Sequence, residues 1–248
     1  MTAPVAPLTP DQQKAIAGQK AVEYVENGQL LGLGTGSTVR FFLEALGKRI
    51  QAEGLTIRGV PTSQATADYA TKLGIPLIGN EVPWDIDLAI DGADQVDPRG
   101  QLIKGGGGAL LREKIVAKAA RQFLVIVDEA KHRPHLGLPF PLPVEIVPFG
   151  WGTTQRHLEE LGWRAVLRRT NDQPFVTDNG NHILDLHIPE IADPQELERR
   201  LHDIPGVVEC GLFVGLTSLV ITGTGQGTRL TRPPGSSFPP APAEIPRA

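Results

Sequence analysis

The stretch DLAIDGADQVDPRGQLIKGGGGALLREKIVAKAARQFLVIV, Asp87–Val127, carries the reading of the fold. It opens on a short apolar run, Asp87–Ile90, expected as a strand that closes on Asp91-Gly92-Ala93-Asp94. Asp97-Pro98-Arg99-Gly100 has the composition of a type I turn. Lys104 and four glycines then lead into a helix over Ala109–Ala120, and the apolar Phe123–Val127 is expected as a buried strand. Outward from this stretch the alternation continues. A helix begins at Thr9-Pro10-Asp11 and runs to about Asn27, followed by strand 29–33, helix 39–50, strand 56–61 and helix 66–73. Strands alternating with helices up to residue 128 predict a doubly wound, mainly parallel sheet.

After Asp128 the pattern changes. KHRPHLGLPFPLP, Lys131–Pro143, holds four prolines and reads as a crossover loop. Strand 144–147, helix 154–161, strands 165–169, 175–177 and 182–187, and helix 194–201 form an α+β pattern with antiparallel strands. Strands 206–214 and 218–222 follow. The expected organisation is α/β. A Rossmann-like catalytic domain spans 1–130 plus about 206–232, a smaller α+β, ferredoxin-like lid spans 131–205, and a proline-rich disordered tail spans 233–248. Residues 1–10 read as a flexible lead-in.

Composition narrows the function. Glycine makes 28 and proline 22 of the 248 residues, above the usual shares of about 7% and 5%. An apolar share of 40% still supplies a core. Nine prolines lie in the two tails, and seven glycines fall in just two segments, Gly32–Gly36 and Gly105–Gly108. A net charge of −4 gives no general affinity for nucleic acid. The single cysteine, Cys210, excludes an intramolecular disulfide, reads as a buried small apolar residue, and fits a reducing, cytoplasmic setting. No run of 18 apolar residues is present, and the N-terminal residues lack the regions of a secretory signal, so neither membrane nor export is expected.

Three segments can carry chemistry. Gly32-Leu33-Gly34-Thr35-Gly36-Ser37-Thr38 lies between a strand and a helix, where glycines admit a ligand close to the backbone and the helix start suits phosphate. Its spacing fits neither the dinucleotide fingerprint nor the nucleotide P-loop; it is an anion loop or a structural turn. Asp91-Gly92-Ala93-Asp94 closes an apolar strand at the edge where open α/β sheets bind ligands. Its aspartates can hold sugar hydroxyls or exchange protons, or merely cap a turn. Lys104-Gly105-Gly106-Gly107-Gly108 reads as a nest of amides aimed at an oxyanion, with Lys104 at its rim. Glu113 is aimed back into that pocket or forms an exposed charge pair with Lys114. Lys131 is a second cation at the sheet edge or an ordinary surface lysine. His132 and His135 are near one another, but nothing completes a metal site around them.

Taken together, GLGTGST (32–38), TSQAT (62–66), DGAD (91–94), KGGGGALLREK (104–114), LPVEIVP (142–148), VTDNGN (176–181) and IPGVVECGLF (204–213) resemble the type A ribose-5-phosphate isomerases, in the family's order. The resemblance implies interconversion of D-ribose 5-phosphate and D-ribulose 5-phosphate through an enediolate, in the non-oxidative pentose phosphate pathway or the Calvin cycle. It implies no cofactor and no metal. Glu113 is then the catalytic base, with Asp91, Asp94 and Lys104 assisting. Thr35, Gly36, Ser37, Thr38, Asp91, Gly92, Ala93, Asp94, Lys104, Gly105, Gly106, Gly107 and Lys131 bind substrate, and Lys14 is the match for a phosphate-binding lysine of the first helix. The expected partner is a small sugar phosphate, and the expected assembly a homodimer or homotetramer. The alternatives are a non-catalytic sugar-phosphate sensor or another sugar-phosphate isomerase of the same fold. A sensor lacks room here for a DNA-binding module, and a deaminase's histidine has no counterpart before Arg121.

Overall fold

The computed structural model describes residues 6–239. In chain order its elements begin with α1 (Pro10–Val22), β1 (Leu30–Leu33), α2 (Ser37–Glu53), β2 (Arg58–Pro61), α3 (Gln64–Lys72) and β3 (Ile86–Asp91). Then come β4 (Gln95–Val96), β5 (Leu102–Ile103), α4 (Leu110–Ala119), β6 (Ala120–Asp128) and a 3-10 turn (Glu129–Lys131). The chain continues through β7 (Leu142–Ile146), α5 (Trp151–Glu159), β8 (Arg164–Leu167), β9 (Arg169–Thr170), β10 (Gln173–Pro174) and β11 (His182–His187). It ends with α6 (Pro194–His202), β12 (Val207–Cys210), β13 (Leu212–Phe213), β14 (Leu219–Thr224) and β15 (Gly227–Thr231).

These elements fall into two compact units. The first holds residues up to Gly92, Ala119–Lys131 and those from Thr217 on; the second holds Ala93–Lys118 and His132–Leu216. The expected bounds gave 93–118 and 206–216 to the parallel sheet. They differ because β4, β5 and β13 pair with one another in a separate three-stranded antiparallel sheet. Two-residue strands carry too little periodicity to be read from sequence.

The first unit is the expected Rossmann-like α/β sheet. Its order is β15-β14-β6-β3-β1-β2, parallel except for β15, an edge strand not anticipated from sequence. The inner strands β1, β3 and, from Phe123 on, β6 are almost wholly buried, as strands covered on both faces must be. From β1 the chain goes outward to β2, then returns to β3 on the other side. The strand order therefore reverses between β1 and β3, and in such sheets the crevice at this switch point takes the ligand. Thr9 caps α1 through a capping box with Gln12, and Pro10 occupies the first turn. The helix stops at Val22 rather than Asn27, because Tyr24 and Val25 turn back onto the carbonyls of Ala21 and Val22.

Both tail expectations need correction. Leu8 donates to the Gly225 carbonyl at 3.2 Å and accepts from the Gln13 side chain, so the lead-in is fastened from there. In the C-terminal tail Phe238 is buried and meets Tyr24 edge-on at 5.4 Å. Arg232 donates to the Phe238 carbonyl, and Ser236 to that of Ser218. One aromatic residue, Phe238, docks the described part of this stretch. Residues 1–5 and 240–248 lie outside the described ones.

In the second unit, β7, α5, β8, β11, α6 and β12 form a βαββαβ unit with the antiparallel order β12-β7-β11-β8, the expected ferredoxin-like pattern. Along β7 and β11, Val144, Ile146, Leu184 and Leu186 pack with Leu158, Leu197 and Leu201 of the two helices. The alternate positions, Glu145, Ile183 and Asp185, face the other way. Thr170–Gln173 is a two-residue hairpin whose centre, Asn171 and Asp172, has positive φ, as a type I′ turn requires. The strand expected at 175–177 is irregular instead, since the hairpin pairs through Gln173–Pro174. The strand expected at 206–214 breaks at Gly211: β12 stays with β7 while β13 joins β5. A Cβ at Gly211 would overlap the Lys104 carbonyl.

Replacing Phe238 by alanine removes a buried ring from the first unit and is expected to lower stability by about 3 kcal/mol. Urea unfolding of the two proteins measures it, with m unchanged.

Candidate active site

In the first unit, Thr35–Thr38, Asp91 and Gly92 gather at the switch point. Gly34 donates to the Ile90 carbonyl at 2.9 Å, joining the end of β1 to β3. The Asp91 carboxylate fills the space where a Gly34 side chain would be, so only glycine allows this approach. Asp91 is buried, and its Oδ1 accepts from the amides of Thr35 at 3.0 Å and Gly92 at 2.7 Å. Thr35 does not present its hydroxyl outward. Its Oγ1 sits 2.7 Å from Thr62 Oγ1, 2.8 Å from Ser63 Oγ and 3.1 Å from Thr66 Oγ1, and Thr66 in turn donates to the Gly34 carbonyl. This hydroxyl hub was not read as such; its signal was the hydroxyl-rich TSQAT where β2 meets α3.

Gly36, at φ 126°, is the N-cap of α2, and no side chain caps that helix. Gly36 and Ser37 are exposed while Thr38 is buried. An uncapped helix start carrying Ser37 suits an anion. Thr35, Gly36 and Thr66 also line a cavity of about 240 Å³ with Val39, Leu43 and Tyr69. Lys131 ends the 3-10 turn that follows β6. Lys14 lies on α1, 3.2 Å from Asp11.

The second unit assembles the other candidates. Lys104 donates its backbone N–H to Gly211 at 2.9 Å, and its ammonium lies 3.2 Å from Glu113 Oε1. Both side chains are buried, at 3% and 5% exposure. An ammonium this close favours the ionised carboxylate, the form a proton acceptor needs. The exposed Glu113–Lys114 pair does not form; each reaches a different partner. Lys114 binds Glu198 at 2.8 Å and Glu209 at 2.6 Å. Burial lowers its pKa, but Cys210, Glu209 and Glu198 outweigh that and hold its ammonium above the usual range.

The glycine loop is only in part an open nest of amides. Gly106 donates to Asp94 Oδ2 at 2.8 Å, and Gly108 to the Gly105 carbonyl at 3.0 Å, so two of the four amides are used within the loop and the DGAD segment. Gly106 and Gly107 are exposed. Arg168 was not anticipated. Its guanidinium donates to the carbonyls of Gly105 at 2.7 Å and Gly106 at 3.2 Å while gripping Asp185 with two nitrogens. Glu145, buried within β7, was also missed. Its Oε1 accepts from Thr177 Oγ1 at 3.0 Å, Asn179 Nδ2 at 3.2 Å and Asn181 Nδ2 at 2.9 Å. Arg112 of α4 holds the same loop through Asn179 at 2.8 Å and the Asp178 carbonyl at 2.7 Å. The signal was the charged residue inside the apolar LPVEIVP.

Among the described residues, one trio brings metal-type donors within 4.8 Å of one another, Glu198, Glu209 and Cys210. The Lys114 ammonium already bonds both of its carboxylates. His135 lies 3.7 Å from Glu190, away from any such trio. No helix among the described residues is long and apolar enough to cross a membrane.

The family profile described as ribose 5-phosphate isomerase A (phosphoriboisomerase A) matches residues 58–227. Ribose-5-phosphate isomerase A of Ruegeria pomeroyi is 50% identical over 235 residues, which cover 92% of this chain and 88% of that protein. The solved ribose 5-phosphate isomerase A of Methanocaldococcus jannaschii is 40% identical, with TM-score 0.86 over 90% of this chain and all of that one. A D-ribose-5-phosphate isomerase solved in complex with phospho-erythronic acid is 38% identical, with TM-score 0.88 over 91% of this chain and all of that one.

Burial pushes the Cys210 thiol up to about 12 against the pull of Lys114. At pH 8 the thiolate fraction is then roughly one in ten thousand. Iodoacetamide is expected to leave the native protein unlabelled and to modify it fully in urea; mass spectrometry reads both.

Proposed function

The chain belongs to the ribose 5-phosphate isomerase A family, and from that premise we propose how its residues interconvert D-ribose 5-phosphate and D-ribulose 5-phosphate. The observation that carries the reading is the buried pair of Glu113 and Lys104, 3.2 Å apart. Glu113 removes the proton from C2 of the open-chain aldose. The C–H electrons form the C1–C2 double bond, and the C1 carbonyl becomes an oxyanion. Lys104 is the cation that offsets this charge, together with the amides of Gly105 and Gly107, the Gly106 amide being held by Asp94. The C2 hydroxyl proton passes to the C1 oxyanion, and the resulting C2 oxyanion closes to the carbonyl as Glu113 returns its proton to C1. One base serves both carbons because they are adjacent.

The aspartates hold hydroxyls. Asp94 already accepts from Gly106, which ties it to the glycine loop. Asp91 has one oxygen held by two backbone amides, so it is a fixed acceptor suited to opening the furanose ring. Gly92 and Ala93 join the two aspartates. Thr35 shapes the loop through its hydroxyl hub, while Gly36, Ser37 and Thr38 take the phosphate at the uncapped start of α2. Lys131, and Lys14 after release from Asp11, are further cations for the phosphate. Phosphate binding away from the reacting carbons supplies energy that orients them. The enzyme acts in pentose phosphate metabolism, in the cytoplasm, as a homodimer or homotetramer. The solvent-facing Phe149, 92% exposed, beside the exposed Val147 supports an apolar face covered in an assembly.

The purified protein is expected to form ketose from ribose 5-phosphate equally well with and without EDTA; loss of activity in EDTA would overturn the metal-free reading. Glu113→Gln is expected to lose kcat by about a thousandfold or more with KM little changed. Phospho-erythronic acid, whose carboxylate resembles the enediolate, should still bind that variant in calorimetry. Near-normal turnover would remove Glu113 from its role.

A further inference from the structure

Lys104 has a second electrostatic neighbour besides Glu113. β13 lies antiparallel to β5 with Phe213 opposite Leu102, and Lys104 bonds Gly211 through its backbone. This register brings the fully buried Phe213 ring beneath the Lys104 ammonium, whose Nζ lies 5.4 Å from the ring centroid. The Lys114 ammonium lies over the same ring at 5.2 Å. Lys114 is anchored by Glu198 and Glu209, and His202 Nε2 lies 2.9 Å from the latter carboxylate. One hydrocarbon ring thus meets two ammonium groups.

The reason lies in the catalytic cycle. An aromatic face carries permanent negative potential, which attracts a cation most where water is excluded. Glu113 also attracts Lys104, but Glu113 loses its charge each time it takes up the substrate proton. The ring's potential does not titrate. We propose that Phe213 is a positioning residue that keeps the Lys104 ammonium in place while Glu113 is protonated, the interval in which the enediolate needs that cation. Lys114, fixed by its carboxylates, holds the ring from its other contact. The inference rests on Glu113 being the base and Lys104 the oxyanion partner.

Graded fluorination tests this in the full-length enzyme, because fluorine drains the ring face with little change of size. Phe213 is replaced by 4-fluoro-, 3,5-difluoro- and 3,4,5-trifluorophenylalanine. The expected result is a stepwise fall in kcat, reaching about tenfold, with KM and melting temperature held near their original values. The alkaline limb of the kcat profile, where Lys104 loses its proton, should move to lower pH with each fluorine. Phe213→Leu should lose at least as much activity as the trifluoro enzyme. Unchanged kcat and an unchanged alkaline limb across the fluorinated series would overturn the proposal and leave the ring a space-filling role. Nitrogen-15 NMR titration of the Lys104 ammonium in the same proteins separates this from the assignment of Glu113. The Lys104 midpoint should fall with fluorination whether or not Glu113 is the base, and Glu113→Gln decides that question alone.

Discussion

Two opposite charges buried side by side, Lys104 and Glu113, are the constraint around which the second unit is built. Taking an ammonium or a carboxylate out of water costs several kcal/mol per ion even after relaxation. Pairing alone rarely recovers that, so the surroundings must contribute. Here they do so with further charges. Lys114 is neutralised by Glu198 and Glu209, and Arg168 by Asp185. Asp185 of β11 and Glu145 of β7 take the sheet positions that alternate with the apolar core, while Lys114 and Glu198 come from helices α4 and α6 and Glu209 from β12. An antiparallel sheet permits this alternation because successive side chains point to opposite faces.

The first unit meets a similar difficulty by neutral means. Asp91 is buried at the end of β3, and its ionised form is supported by backbone amides. Amides are fixed by the fold and cannot leave, so the carboxylate keeps one orientation. The hydroxyl hub around Thr35 does the same for the loop above it. The Thr35 hydroxyl is held by those of Thr62, Ser63 and Thr66, so Thr35 is spent on shape. That leaves the uncapped helix start at Gly36 and Ser37 as the exposed part of the loop.

Much of this is legible in the amino-acid sequence. Apolar runs ending in DGAD or opening on glycine loops placed the parallel strands, because both faces of such strands are buried and leave a continuous signal. The ordered motifs located Glu113, Lys104 and the three loops. What the sequence hid shares one physical trait: partners distant along the chain. Arg168 stands in the run RAVLRRT and looks like one of several surface arginines; only its approach to Gly105 and Gly106, more than sixty residues earlier, distinguishes it. Glu145 lies inside LPVEIVP, yet its three donors arrive from a loop over thirty residues on. Phe213 reads as one apolar residue among several until the register of β13 sets it beside Lys104. Phe238, in a proline-rich tail, gave no periodicity at all.

The four glycines illustrate how these hidden contacts complete the visible motif. Ordering each glycine costs more backbone entropy than ordering any other residue, so the run needs compensation to hold one shape. Arg168 bonds two of its carbonyls and Asp94 one of its amides, and both residues are themselves fixed, one by Asp185 and the other by the Ile103 carbonyl. A bulkier chain would gain order but could not make the approach. Gly211 faces the same demand from the other side, where a Cβ would strike the Lys104 carbonyl. The flexibility of glycine is therefore used to reach the geometry and then removed by charge, which leaves Gly106 and Gly107 exposed on a loop whose neighbours hold it in place.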